Sequence, residues 1–252
     1  GWDVDGLAAT IAQTSPRIAY LMPDFHNPTG RCMDAPTRES VARLAARTRT
    51  TLVVDETMVD LWMDAPPPPP LAAFDSAAPI ITLGSASKSF WGGLRVGWIR
   101  APARTIAALV QMRETLDLGS PLLEQLATRW LIENGDDFLP ARRQRLMAHR
   151  DDCAVLLQEF FPRWQWAMPQ GGLSFWVALP DALATLFATH AESAGISLGT
   201  GTRFGLQGAF DRFLRMPFSQ PDDVLREAFT TLQPIWTSLV GQPVMLRQRK
   251  VI

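Results

Sequence analysis

Thr82-Leu83-Gly84-Ser85-Ala86-Ser87-Lys88-Ser89-Phe90-Trp91-Gly92-Gly93-Leu94-Arg95-Val96-Gly97-Trp98 is the stretch on which the fold turns. With the residues just before it, Pro79-Ile80-Ile81-Thr82-Leu83 forms an apolar run of strand length, which reads as a buried strand. The run ends in small residues and then a lone lysine, Lys88, followed by two glycines and Arg95. Val96-Gly97-Trp98-Ile99 reads as extended again. In α/β sheets ligands bind just outside the carboxyl ends of the strands, which is where Lys88 falls. Partial desolvation there would lower the pKa of its amine and make it a usable nucleophile. Ser85 and Ser87 offer hydroxyls, and Arg95 offers a planar fork suited to a phosphate. A solvated loop lysine is the ordinary alternative for any single such position, so the rest of the chain has to decide.

Composition narrows the classes. The chain has 252 residues, 47% of them hydrophobic, with a mean hydropathy of +0.02, which fits a globular protein with a real core. A formal net charge of −1 provides no basic field for nucleic acid on these residues. Cys32 and Cys153 are the only cysteines and show no metal-ligand spacing, so free thiols in a reducing, cytoplasmic compartment are expected. The three histidines, His26, His149 and His190, are scattered, which argues against a histidine metal site. No apolar run approaches the ~18 residues of a membrane span, and no signal peptide is visible. The chain opens on Gly1 within what reads as a helix lead-in, and a fragment lacking its N-terminal portion is expected.

Upstream of the lysine, Asp5 is placed to cap a helix over Leu7 to Ile11, and Arg17 to Met22 reads as a strand. Pro23-Asp24-Phe25-His26-Asn27-Pro28-Thr29-Gly30 is dense in turn formers. Asp34 caps a second helix with Pro36 in its first turn, and Thr50 to Val54 is a β-branched strand ending in Asp55-Glu56. Five prolines, Pro66 to Pro70, form a stiff connector. This alternation implies a mainly parallel sheet with flanking helices. Downstream, Thr105 to Leu116, Pro121 to Ile132 and Phe138 to Phe161 read as helices. The last carries Arg142, Arg143, Arg145 and Arg150 on what reads as a solvated face. Trp164 to Met168 and Leu173 to Leu179 read as strands around a Gly171-Gly172 hairpin. A helix over Leu183 to Glu192, strands near Ile196 to Leu198 and at Phe213 to Pro217, and a helix over Val224 to Val240 complete an α+β unit. The expected organisation is a large α/β domain over 1–135 and a smaller α+β domain over 136–252.

Three further positions have chemical meaning. Asn27 lies in a loop shaped by Pro28 and Gly30 and could donate to a phenolic oxygen, although such tetrapeptides also make ordinary turns. Asp55 ends a strand and could hold a protonated pyridine nitrogen, or could equally be a cap or a surface acid. Arg215, within Phe213-Leu214-Arg215-Met216-Pro217-Phe218, is costly inside a strand unless paired. A substrate carboxylate or an internal acid would serve. An amine to meet an aldehyde, an anion clamp and a carboxylate for a ring nitrogen together make the set that pyridoxal 5'-phosphate requires.

The order Asn-Pro-Thr-Gly, strand-terminal Asp-Glu, Ser-x-Ser-Lys with an arginine seven residues on, then a late strand arginine resembles the fold-type I pyridoxal-phosphate enzymes of the aminotransferase class I/II family. The resemblance implies that Lys88 forms the Schiff base and shuttles the substrate proton, and that Asp55 pairs with the pyridine nitrogen. It also implies that Asn27 contacts the ring hydroxyl, that Ser85, Ser87 and Arg95 hold the phosphate, and that Arg215 binds the substrate carboxylate. Asp55-Glu56-Thr57-Met58-Val59-Asp60-Leu61-Trp62, the proline run and Phe90-Trp91-Gly92-Gly93-Leu94-Arg95 look more narrowly like the aminotransferase-like half of MocR-type regulators in the GntR superfamily. That implies an amino acid or amine ligand with a carboxylate, a homodimer, and DNA contact only through a winged-helix domain not among these residues. Many relatives carry a tyrosine two or three residues after the aspartate. Here Thr57 and Met58 stand there, and Tyr20 is the chain's only tyrosine. This favours an effector sensor over a free-standing transaminase.

Overall fold

The computed structural model describes residues 2–241 and separates them into two compact units. The first runs to Met147 and takes in Pro169–Leu173; the second comprises Ala148–Met168 and the chain from Ser174 on. The chain first passes from one unit to the other at Met147–Ala148, downstream of Gly135. The reason is local: the residues just after Gly135 are tied to the first unit, with the Arg143 Nε donating to the Asp60 carbonyl at 2.8 Å.

The first unit is built on a four-stranded sheet, β1 (Ile18–Leu21), β2 (Thr51–Asp55), β3 (Ile80–Ser85) and β4 (Gly97–Arg100), in that spatial order. β1, β2 and β3 are parallel, and β4 returns antiparallel with Ser85 opposite Gly97. The mainly parallel sheet with flanking helices is as the sequence implies. Helix α1 (Val4–Thr14) is capped by Asp3, whose Oδ1 accepts from the Gly6 N–H at 2.8 Å, and not by Asp5. Asp5 sits within the first turn, where a negative charge suits the helix dipole.

Helix α2 (Ala35–Thr48) starts as read: the Asp34 Oδ1 accepts from the Thr37 N–H at 2.9 Å, with proline at the entry. It crosses from β1 to β2 and buries Val41, Ala42 and Ala45 against Leu52, Val54, Met33 and Leu71. From β2 to β3 there is no crossover α-helix. The proline run leads instead into one 3₁₀ turn, Leu71–Ala73, which anchors itself by the fully buried Leu71. Past β3 come the single turn α3 (Ala86–Ser89), then α4 (Ala103–Arg113), α5 (Leu122–Glu133) and α6 (Gly135–Phe160).

The second unit holds a three-stranded antiparallel sheet, β5 (Ser174–Ala178), β6 (Gly199–Thr200) and β7 (Phe213–Pro217), ordered β5-β7-β6. Helices α7 (Ala184–Ser193) and α8 (Asp222–Gly241) belong to the same unit. Its core is aromatic: Phe161 stacks on Trp164 with ring centroids 3.9 Å apart, and Phe187, Phe229 and Trp236 meet them edge-on. Each buried ring of this kind contributes about 1.5–3 kcal/mol by removal from water. Three readings need correction. The strand read near Ile196 to Leu198 lies at Gly199–Thr200. Trp164 to Met168 is no strand; it makes a single bridge, Gln165 to Ala178. Gly171-Gly172 is no hairpin, because its segment belongs to the first unit. There the Met63 N–H donates to the Gln170 carbonyl at 3.0 Å and the Gly172 N–H to the Leu61 carbonyl at 2.9 Å. Among the described residues no helix is long and apolar enough to cross a membrane.

Candidate functional site

Because β1, β2 and β3 are parallel, their carboxyl ends share one edge of the sheet. Asn27 follows β1, Asp55 closes β2, and Ser85, Ser87 and Lys88 follow or close β3. Arg95 precedes β4, whose first residue pairs with Ser85, so it returns to the same edge. The Ala86 N–H donates to the Val96 carbonyl at 3.0 Å and ties the lysine turn to that return. Six of the seven residues singled out from the sequence therefore lie along this edge of the first unit. Arg215 is on β7 of the second unit, opposite Trp176 on one side and Gly199 on the other. It is half-buried with its guanidinium carbon 5.5 Å from the Phe204 ring centroid, so the strand houses its charge against an aromatic face.

Asp55 is the best-defined member. Strand β2 delivers it nearly buried, at 9% exposure, and both its oxygens are engaged. Oδ1 accepts from the Thr57 N–H at 2.9 Å, and Oδ2 accepts from the Tyr20 hydroxyl. Each carboxylate oxygen has a second lone pair, so a further N–H donor can still be received. Burial, then the hydrogen bond to Asp55 and the charge of Asp55, push the Tyr20 phenol up to about 12.

The lysine turn is held from beneath. The Ser85 hydroxyl accepts from the Ser87 N–H at 3.1 Å, the Ser89 hydroxyl donates to Asp60 Oδ2 at 2.7 Å, and Arg142 donates to the Lys88 carbonyl at 2.8 Å. Lys88 itself is exposed, so the desolvation expected from its position is not provided by the surrounding residues of this chain. Arg95 is exposed as well, at a left-handed backbone position with φ 52°. Asn27 sits half-buried in a loop whose Gly30 N–H donates to the His26 carbonyl at 2.7 Å, and burial lowers the His26 imidazole pKa. A cavity of ≈ 290 Å³ is lined by Glu56, Asp60, Gly84, Phe90 and Trp98 together with residues of α5 and α6; Lys88 and Asp55 do not line it.

Sequence reasoning missed three contributors. Tyr20 pairs in register with Val53, two positions from Asp55 and on the same face of the sheet, and no local pattern displays that register. Arg142 and Arg143 do not form a solvated face. Besides the bond of Arg142 to the lysine turn, Arg143 lies 4.1 Å from the Trp62 ring centroid, and Arg150 is only 6% exposed. A count would also have helped: Lys88 and Lys250 are the only lysines among 252 residues, so a lysine at a strand end is hardly surface filler.

An amine, an oriented carboxylate, two hydroxyls, an amide side chain and a guanidinium at one parallel-sheet edge are the parts of a site for an anionic heteroaromatic aldehyde. The model of aminotransferases of class I and II matches residues 1–232, and the chain belongs to that family. Relatives of two kinds are among the matches. It is 32% identical over 73% of its length to an uncharacterized HTH-type transcriptional regulator, YdfD of Bacillus subtilis, covering 39% of that protein. It is also 28% identical over 86% of its length to aromatic-amino-acid aminotransferase 1 of Thermococcus litoralis, covering 53% of it. Among solved structures, the α-aminoadipate aminotransferase LysN of Thermus thermophilus, complexed with N-(5'-phosphopyridoxyl)-L-leucine, superposes with a TM-score of 0.88 at 26% identity. That match covers 95% of this chain and 64% of LysN. The chain thus spans between about two fifths and about half of these two curated relatives.

Proposed function

We propose that this chain is a pyridoxal-phosphate-binding aminotransferase-like domain, working as the effector-sensing half of a MocR-type transcriptional regulator of the GntR superfamily. The observation that carries the cofactor reading is Asp55: a nearly buried carboxylate at the sheet edge, with one donor on each oxygen and a lone pair left for a ring N–H. When bound, pyridoxal phosphate supplies an aldehyde that captures amines and a ring that accepts the electrons of the substrate Cα–H bond. Asp55 holds the proton on the ring nitrogen. Asn27 donates to the ring hydroxyl, and Ser85, Ser87 and Arg95 bind the phosphate. Lys88 provides the anchoring amine and is the base to which a substrate proton would move. Arg215 takes the carboxylate of an amino acid or amine effector as a bidentate partner.

The regulator reading draws on Met58 and on the relatives. At the third position after Asp55, where a hydroxyl would support ring chemistry, a thioether is packed away at 8% exposure. Relatives at 32% and 33% identity are HTH-type regulators. In this reading DNA is contacted through a separate domain, and the protein is a cytoplasmic homodimer. The long match to an aminotransferase supports a second reading, a transaminase in its own right. One experiment decides: load the purified protein with pyridoxal phosphate and titrate a panel of amino acids while following the visible spectrum and keto-acid release. The sensor reading predicts a saturable spectral change with no keto acid. Repeated turnover with a second keto acid would establish the transaminase, and a colourless protein would remove both.

A further inference from the structure

We propose that Tyr20 is a positioning residue for Asp55: its hydroxyl, reaching across from β1, fixes the carboxylate of β2 in the orientation that receives a ring N–H. This rests on the cofactor reading above. The geometry is specific. β1 and β2 are parallel neighbours, Tyr20 stands opposite Val53, and strand alternation puts Asp55 on the same face one diagonal step away. A phenol spans that step, and its O–H donates to Oδ2. The Thr57 N–H at 2.9 Å holds the other oxygen, so the carboxylate plane is defined from two sides by two elements.

Packing does not place this ring. Tyr20 is 57% exposed, on the sheet edge that also carries the other groups of the site, and an exposed phenol would ordinarily be satisfied by water. What holds it is the carboxylate, a charged acceptor and therefore a strong one. The hydroxyl in turn holds one oxygen of Asp55 in place, leaving the carboxylate oriented toward a further N–H donor. Of the two residues that follow Glu56, Thr57 carries a hydroxyl and Met58 a thioether that cannot donate. Tyr20 acts through Asp55, the group that would hold the ring nitrogen.

Tyr20 is the only tyrosine of these residues, and the difference between the ultraviolet pH titrations of the wild-type and Tyr20→Phe proteins isolates its phenol. The expected difference titrates near 12, and in the Asp55→Asn background it falls part of the way back, because burial, the largest cause of the shift, remains while the hydrogen bond and charge of Asp55 are lost. A difference titration that Asp55→Asn leaves unmoved would overturn the contact. In the second arm, pyridoxal phosphate is bound to the wild type, Tyr20→Phe and Asp55→Asn. Tyr20→Phe is expected to weaken binding roughly tenfold to a hundredfold, as loss of a hydrogen bond to a charged group does. It is also expected to move the pH profile of the visible band, a readout that a loss of folding stability alone would not move. If Asp55→Asn weakens binding and Tyr20→Phe does not, the inference fails and the cofactor reading stands. If neither variant changes binding, the cofactor reading itself fails.

Discussion

Glu56 follows Asp55 directly, and strand alternation turns the two carboxylates to different environments. Asp55 meets donors on both oxygens, whereas Glu56 Oε1 is buried with no partner. Burial first, and then the charge of Asp24, push the Glu56 carboxyl up from 4.5 to about 7. A raised carboxyl binds its proton more tightly in the folded state. Below 4.5 both states are neutral, between 4.5 and about 7 only the unfolded state ionises, and above about 7 both do. The first unit should therefore lose stability as pH rises from 4.5 to about 7, and Glu56→Gln should flatten that slope. Urea melts across that range read the outcome directly, and an unchanged slope would assign the pH dependence elsewhere. The contrast also shows what was legible at this scale. Lys88, Asp55 and Asn27 stood out because each is a reactive group in a strand-end context. Tyr20 did not, because its meaning depends on strand register, which the one-dimensional pattern leaves open.

Among the elements, the loop that carries Asn27 depends on a buried ion pair. Arg38 of α2 and Asp24 lie 2.5 Å apart with side chains 0% and 1% exposed, and Arg38 Nε also donates to the Met33 carbonyl at 2.9 Å. Breaking such a pair strands a charge in the interior. Arg38→Met should destabilise the first unit by about 3–5 kcal/mol, measured by denaturant unfolding, whereas a loss under about 1 kcal/mol would mean that water reaches Asp24. The segment Pro169–Leu173 makes a second test. A Cβ on Gly171 would lie 2.6 Å from the Leu61 carbonyl oxygen and would also strike the Phe25 ring. Backbone cannot yield as a flexible side chain does, so Gly171→Ala should cost about 1–3 kcal/mol in the same measurement. This segment was misread because two adjacent glycines between extended runs look like a turn. In the structure they allow close approach to the chain at 61–63. The start of helix α2 and both ends of β7 were legible to the residue, since a cap with proline and a bounded apolar run are local signals.

For the molecule as a whole, membership of the aminotransferase class I and II family sets the frame, and its relatives include both regulators and enzymes. What the chain contributes on its own account is one edge of a mainly parallel sheet, along which six residues from three connections lie. In the sequence, alternating strands and helices give way to a late α+β pattern. The first passage between the two compact units falls inside α6, where helical periodicity runs on unbroken and leaves no local signal.

The most direct test of the account is to find which residue holds the cofactor. The purified protein is incubated with pyridoxal phosphate, reduced with borohydride, digested and mapped by mass spectrometry, with Lys88→Ala treated alongside. A phosphopyridoxyl group is expected on the peptide containing Lys88 and none in the variant. Modification confined to Lys250, or the same modification in Lys88→Ala, would contradict it.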